Sequence, residues 1–208
     1  VTSSMSFNYT RDSRNLPIFP NSGSVFSYTP SIAGGPLGGE TKYHKHDIAT
    51  SYYFPLIWKF GLGIKTHIGA VTAYGGGAVP FSERYTPGGV DIFTGTMVRG
   101  YPELSLGPQV GGSTVGGNAQ LLFNMEIAVP IVKQQFYGLI FADAGNAYAG
   151  ASELSLFDLK RSVGFGMRFT APVVGIMGFD FAWGIDRRSV DGLEPQMTTH
   201  FQFGPQFF

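Results

Sequence analysis

Few residues of this 208-residue chain have the types and spacing that covalent chemistry or metal binding requires. His44 and His46 could form a two-histidine metal clip, but no third ligand lies nearby in the sequence. His67, Asp47 and neighbouring serines resemble parts of a hydrolase triad, yet no nucleophile elbow accompanies them. The glycine-rich stretch 111–117 lacks the lysine and the following helix of a phosphate-binding loop. These patterns predict a protein that is not an enzyme and has no metal or cofactor.

Other charged residues are spaced for ion pairs. Arg99 lies in a long aperiodic segment, whereas Glu126 and Asp143 lie on successive predicted strands. A guanidinium in a low-dielectric interior is costly unless it is paired, and carboxylates on adjacent strands can accept its forked N–H groups. Alternatively, Arg99 is a solvated loop charge and the two acids are ordinary polar residues of a lumen. Arg168 and Asp180 are predicted to pair across neighbouring strands.

The segments that carry these residues alternate strictly between apolar side chains and small or polar ones. Segments of roughly ten residues with this period are typical of a transmembrane β-barrel, apolar toward lipid and polar toward the lumen. Trp58, Tyr52, Tyr53 and Trp183 are candidates for its aromatic girdles. The side chains expected to face lipid are Phe123, Met125, Ile127, Phe165, Met167, Phe169, Phe179, Phe181 and Trp183.

Composition narrows the class further. The net charge is zero and 13% of residues are charged, against about 25% in soluble domains. Phosphate binding needs clustered lysine and arginine, so nucleic acid is not expected as a partner. The apolar run of about 20 residues that a membrane helix needs is absent, which excludes a helical membrane protein. We expect a single domain over residues 1–208.

Nine strand-like segments are separated by connections that alternate in length. The segments lie near residues 2–11, 23–33, 41–54, 57–73, 118–129, 136–147, 161–171, 174–186 and 197–207. The long connections are 34–40, 74–117, 148–160 and 187–196. Bacterial outer-membrane barrels have short periplasmic turns and longer extracellular loops. The short breaks are therefore predicted to be periplasmic, and 74–117 to be an ordered extracellular loop.

Several motifs together resemble the BamA family of outer-membrane protein assembly factors, whose superfamily includes the two-partner-secretion transporters. Val98-Arg99-Gly100-Tyr101 matches the motif of the family's long sixth extracellular loop. The other matching stretches are Met5–Arg14, Glu83-Arg84-Tyr85, Gly88-Gly89, Gly116-Gly117-Asn118, Phe141-Ala142-Asp143-Ala144-Gly145 and the aromatic Phe201–Phe208. The resemblance spans essentially the whole chain but covers only about the last nine of the family's sixteen strands, with none of its periplasmic domains.

The resemblance implies a location in the bacterial outer membrane and a function in inserting other membrane proteins. It implies that the aspartate of the 141–145 motif holds the loop arginine. The implied loop lock consists of Val98, Arg99, Gly100, Tyr101, Glu126 and Asp143. The last strand would supply one side of a seam at which client strands pair, through Phe201, Phe203, Gly204, Phe207 and Phe208.

The partners implied are the lipid bilayer, unfolded outer-membrane protein clients and assembly-machine lipoproteins, with self-association through open strand edges as a further possibility. The alternative function is a small stand-alone barrel acting as an anchor, a passive pore or a membrane enzyme.

Single-chain bacterial barrels have even strand numbers, whereas nine segments are present. We expect segment 2–11 to stay outside and the remaining strands to close an eight-stranded antiparallel barrel. Such a barrel is filled by its own side chains, so loop 74–117 would be displaced from it. The alternative is the C-terminal half of a sixteen-stranded barrel, with open edges.

Overall fold

A computed structural model describes residues 2–90, 97–132, 135–171, 175–190, 192 and 194–204. The strands are β1 Ser4–Ser6, β2 Tyr9–Asp12, β3 Gly23–Ala33, β4 Tyr43–Pro55, β5 Gly61–Ala73, β6 Gly89–Val90, β7 Met97–Val98, β8 Gln109–Val110, β9 Ser113–Thr114, β10 Ala119–Val132, β11 Phe136–Tyr148, β12 Lys160–Ala171, β13 Gly175–Gly184 and β14 Met197–Gly204. Short 3-10 turns cover Gly35–Leu37, Phe81–Glu83, Ala151–Glu153, Leu156–Asp158 and Arg187–Ser189. Over the described residues, no helix has the length and apolar character to cross a membrane.

Ten strands form one antiparallel sheet in the order β1-β3-β4-β5-β10-β11-β12-β13-β14, with β2 also paired to β3. Each long strand neighbours the next one along the chain, because the connections between them are hairpins or loops that return to the same edge. Each of the nine predicted segments contributes to this sheet, and segment 2–11 contributes two short strands. The predicted all-β antiparallel architecture is therefore confirmed.

The predicted closure into eight strands is wrong. Residues 4–6 and 9–12 do not stay outside but pair with β3, because the connection 13–22 returns the chain antiparallel to itself. Among the described residues, β14 pairs only with β13, so the two ends of the sheet are not joined. The alternative of a sheet with open edges describes the structure. An open sheet also leaves room for loop 74–117, whose described residues are not displaced from the inner face.

The two faces of the sheet differ as the alternation predicts. None of the nine side chains expected to face outward is buried, with Met125 46% and Phe165 47% exposed. The opposite face carries small, polar and charged residues together with buried apolar and aromatic ones such as Leu139 and Phe141. The long loop covers this face, which we call the inner face. The prediction that Tyr53 belongs to an aromatic girdle is wrong, because its side chain is buried on the inner face.

The connection 13–22 is a structured element that the sequence pattern did not predict. Asn15 organises it: its Nδ2 donates to Asn21 Oδ1 at 2.7 Å, and its Oδ1 accepts from the N–H groups of Asn21 and Ser22. The connection reaches across the inner face, where Phe19 stacks on Tyr137 of β11 with ring centroids 3.7 Å apart. It covers the inner face at the end with the short connections.

Candidate functional site: a buried charge network beneath the long loop

The centre of loop 74–117 is pressed against the inner face of the sheet. Val98, Tyr101 and Leu106 are buried and pack in one cluster with Leu122 of β10. These apolar residues flank Arg99 in sequence, so burying them carries the guanidinium inward. The described part of the loop is thus ordered, as predicted, but it packs against the sheet and is not displaced from it.

Arg99 is fully buried and makes the contact expected of it. Its Nε donates to Asp143 Oδ2 at 2.7 Å, its Nη2 to Asp143 Oδ1 at 2.8 Å and its backbone N–H to Oδ2 at 3.1 Å. The guanidinium carbon lies 3.4 Å from the ring centroid of Phe141. Asn124, which faces Asp143 across the β10–β11 ladder, donates to Oδ1 at 2.8 Å. The two-point ion pair between Arg99 and Asp143, with the Asn124 amide as a further donor, stabilises both charges in a site that is shielded from solvent.

The network extends beyond Arg99 and Asp143 to six charged residues. Arg99 Nη1 lies 2.8 Å from Glu126 Oε1 and 3.5 Å from Asp180 Oδ2. The predicted Arg168–Asp180 pair is present, with two bonds of 2.7 and 2.8 Å. Lys65 Nζ lies 3.8 Å from Glu126 Oε2. Three cations and three anions make the network formally neutral, which is the condition under which buried charges are tolerated.

Glu126 differs from the other two acids of the network. It lies within ion-pair distance of Arg99 and Lys65, yet neither of its oxygens accepts a hydrogen bond from the described residues. The Nε and Nη2 of Arg99 donate to Asp143, while the Nη1 of the same guanidinium lies 2.8 Å from Glu126 Oε1. The two cations offset the cost of burying this carboxylate.

Residues outside the sequence motifs hold the loop on the side of strands β13 and β14. The N–H of Gly100 donates to His200 Nε2 of β14 at 2.9 Å, and Gln202 Nε2 donates to Asp180 Oδ2 at 2.5 Å. Gly100 lies directly against Gly184 of β13. His200 and Gln202 share the inward phase of their strand, which is the only sequence signal that could have identified them.

A second anchor holds the start of the loop on β4 and β5. Tyr85 Oη donates to Asp47 Oδ1 at 2.9 Å, and the Tyr85 ring fills the space above Gly69. Lys45 Nζ lies 4.8 Å from the ring centroid of Tyr85 and donates to the carbonyl of Glu83 at 3.1 Å. The Glu83-Arg84-Tyr85 motif is therefore an attachment point of the loop.

Tyr101 completes the attachment on the outer-loop side. Its Oη donates to the carbonyl of Arg161 at 2.8 Å and accepts from the N–H of Asp186 at 3.1 Å. Burial raises the pKa of the Tyr101 phenol to about 12, because the charged form would lose its hydration.

The terminal-strand candidates are only partly described. Phe201 points outward and is 56% exposed. The backbone of Phe203 pairs with Met177 and that of Gly204 with Ile176. Phe207 and Phe208 lie outside the described residues.

The remaining candidates take structural contacts. His44 and His46 face outward with ring centroids 5.4 Å apart, and Tyr28 bonds to His46. His67 lies 3.2 Å from Asp47 on the inner face. Within the part of the chain that the structure describes, no three histidine, aspartate or glutamate residues are placed to share a metal ion.

Comparison with known sequences decides the family. The sequence model of the Omp85 superfamily domain matches residues 1–207. The chain belongs to the Omp85 superfamily. The outer membrane protein assembly factor BamA of Nitratidesulfovibrio vulgaris is 30% identical over 204 residues, which are 96% of this chain and 25% of that protein. A SAM50-like protein of Schizosaccharomyces pombe is 27% identical over 88% of this chain and 44% of its own length.

The fold is shared with a solved member of the superfamily. The crystal structure of BamA from Haemophilus ducreyi lacking POTRA domains 1–3 superimposes with a TM-score of 0.77 at 21% identity, over 96% of this chain and 42% of that one. The chain thus spans from a quarter to less than half of these relatives. The Omp85 assignment confirms the resemblance drawn from the motifs.

Proposed function

We propose that this protein assembles β-barrel proteins into an outer membrane by pairing their strands with the edge strand β14. The observation that carries the proposal is the match to the Omp85 superfamily along 1–207, joined with an antiparallel sheet whose strand β14 has one partner among the described residues. The relatives are named as assembly factors or as sorting and assembly components. The proposed activity needs no covalent step.

The physical driving force is the cost of an unpaired strand edge in lipid. Every second backbone N–H and C=O of β14 points away from β13, and each such group costs several kcal/mol if it is left unsatisfied in hydrocarbon. An extended client strand that adds to the edge satisfies these groups on both sides. Outward apolar residues such as Phe201 then continue the lipid-facing surface onto the client.

The charge network has the role of a loop lock in this proposal. Val98, Arg99, Gly100 and Tyr101 bind the loop to Glu126, Asp143 and the seam strands, so they fix the inner face beside the edge. Since Gly100 contacts both β13 and β14, release of the loop would free the edge from one side. We expect loop attachment and edge pairing to be coupled.

We propose the bacterial outer membrane as the location, since the relative with the larger coverage of this chain is bacterial. The SAM50 homologues of animals and yeast cover less of it. The proposed partners are the bilayer, unfolded barrel clients and lipoproteins of an assembly machine.

The complete native polypeptide, reconstituted in liposomes, tests the function. An unfolded outer-membrane barrel protein is added to the liposomes. Its folded fraction is measured on a gel, because the folded barrel in an unheated sample migrates differently from the denatured chain. We expect faster folding than with liposomes alone. No acceleration, together with steady ion conductance through the same liposomes, would instead support a passive pore.

Site-specific cross-linking tests the edge. The chain contains no cysteine, so Phe201→Cys gives a single thiol on β14. A client with one cysteine in its terminal strand should form a disulfide with this variant. Met125→Cys is the matched control, because it has similar outward exposure on β10, a central strand. Equal cross-linking of both variants would rule out pairing at β14.

A further inference from the structure

A titratable side chain ties the long loop to the edge strand β14. The backbone N–H of Gly100 donates to Nε2 of His200 at 2.9 Å. A neutral imidazole has one N–H and one bare nitrogen, and only the bare nitrogen accepts a hydrogen bond. The contact therefore requires a neutral ring with its hydrogen on Nδ1. The ring is buried on the inner face but is 8% exposed, which gives a proton access to it.

Protonation of this ring removes the acceptor. Both nitrogens of an imidazolium carry hydrogen, so the Nε2 of His200 would direct an N–H at the N–H of Gly100. The backbone of Gly100 has little room to turn away by itself, because it lies directly against Gly184 of β13. Two opposed donors leave a buried backbone N–H without a partner, which is costly. The conflict is relieved when the loop segment moves away from β14.

The charged groups around His200 are already engaged or screened. They are Asp180 on β13, Arg99 and Glu103 of the loop, and Asp143 on β11. Both oxygens of Asp143 accept from Arg99, and Glu103 is exposed, where water and salt screen its charge. Strand β6, which also approaches β14, consists of a glycine and a valine and contributes no charge.

Asp180 is the carboxylate that faces the imidazole across the β13–β14 ladder, and its oxygens already have donors. Arg168 donates to Oδ1 at 2.7 Å and to Oδ2 at 2.8 Å, and Gln202 also donates to Oδ2. Arg99 Nη1 lies 3.5 Å from that same oxygen. The six charges of the network cancel, so a protonated imidazole beside them would add an uncompensated positive charge to a buried site.

From this geometry we infer that His200 and the N–H of Gly100 form a proton-sensitive latch between the long loop and the edge strand β14. The neutral ring holds the loop on β14, and acid releases the loop from this strand while Asp143 continues to hold Arg99. Release breaks no covalent bond and reverses when the proton leaves. The latch acts on the loop whether or not the protein assembles barrel clients.

The distance between the loop and β14, measured at different pH, tests the latch. Nitroxide labels are attached to Pro102→Cys, an exposed loop position, and to Met197→Cys on β14, since this chain has no cysteine of its own. Pulsed dipolar EPR on the complete native protein in detergent then gives the populations of attached and released loop. We expect the ratio of released to attached loop to rise at least about tenfold between about pH 7.5 and pH 5, the range in which histidine changes charge.

Two variants with the same substitution assign the response to one histidine. His200→Gln keeps an acceptor at similar reach but cannot be protonated, so the attached distance should persist at both pH values. His67→Gln is the matched control, because it removes the other inner-face histidine, which lies 3.2 Å from Asp47, and should keep the wild-type response. A wild-type distance that does not change with pH, or an equal change in His200→Gln, would overturn the inference. Loss of the response in His67→Gln would assign it to the anchor on β4 and β5 and would overturn the inference as well.

Discussion

Gly100 of the loop and Gly184 of β13 lie backbone to backbone, so that neither has room for a side chain. A Cβ on Gly184 would lie 2.6 Å from the carbonyl oxygen of Gly100, and a Cβ on Gly100 would lie 2.6 Å from the amide nitrogen of Gly184. Gly100 also has φ +87°, a conformation that favours glycine. The contact explains why a glycine follows the arginine of the loop motif, and it brings the loop within hydrogen-bond reach of β14.

Gly184→Ala tests this contact. Because the clash is with backbone, we expect the loop to shift and the free energy of unfolding to fall by about 1–3 kcal/mol. Gly138→Ala is the control, since its Cβ would meet only Ile131 at 3.6 Å. Denaturant unfolding and protease cleavage within the loop measure the effect. Equal stability of the two variants would contradict the proposed close packing.

Arg99→Ala should be among the most destabilising single substitutions on the inner face. It leaves Asp143 and Glu126 buried without their shared cation, and loss of one partner of a buried pair costs about 3–5 kcal/mol. Arg161→Ala is the matched control, because its side chain is exposed and its pair with Asp186 is at the surface, where about 0–1 kcal/mol is typical. Denaturant midpoints of both variants decide the comparison; a loss for Arg99→Ala no larger than that for the control would count against the lock.

Tyr85→Phe isolates the second anchor. The substitution keeps the ring above Gly69 but removes the hydrogen bond to Asp47, so we expect a loss of about 1.5–3 kcal/mol for a bond to a charged group. Tyr52→Phe, on the exposed outer face, should change stability by less than about 0.5 kcal/mol. Thermal denaturation of both variants in detergent measures the difference.

Alkaline pH should release the loop through Tyr101. Its pKa is raised to about 12 by burial, whereas an exposed phenol has a pKa of about 10. The folded state favours the neutral phenol, so its contribution is complete below about pH 10 and is lost as pH rises through about 12. Stability measured across this interval should decline less steeply in Tyr101→Phe than in the wild type. If the stability of both proteins declined equally with pH, Tyr101 would be excluded as a source of the alkaline destabilisation.

The alternation of apolar side chains with small or polar ones was sufficient to predict the strands and which side of the sheet each residue faces. A strand with period two can bury only one face, so the phase of residues such as Met125 and Phe165 determines which side they take. The same phase placed Glu126 and Asp143 inward on neighbouring strands. The chemistry of a buried guanidinium made those carboxylates candidate partners of Arg99, and the resemblance of the 141–145 motif singled out Asp143. These are local properties, which is why the sequence by itself determined them.

Tertiary structure alone decided how the sheet ends and which further residues meet the loop. Closure depends on whether two strands far apart in sequence pair, and local periodicity carries no information about that; the expected eight-stranded barrel is accordingly an open sheet. Asp180, His200 and Gln202 join the network because β13 and β14 lie beside the loop in space. Phe19 reaches Tyr137 only because connection 13–22 folds across the sheet. Such contacts arise from the packing of distant segments, and no spacing along the chain encodes them.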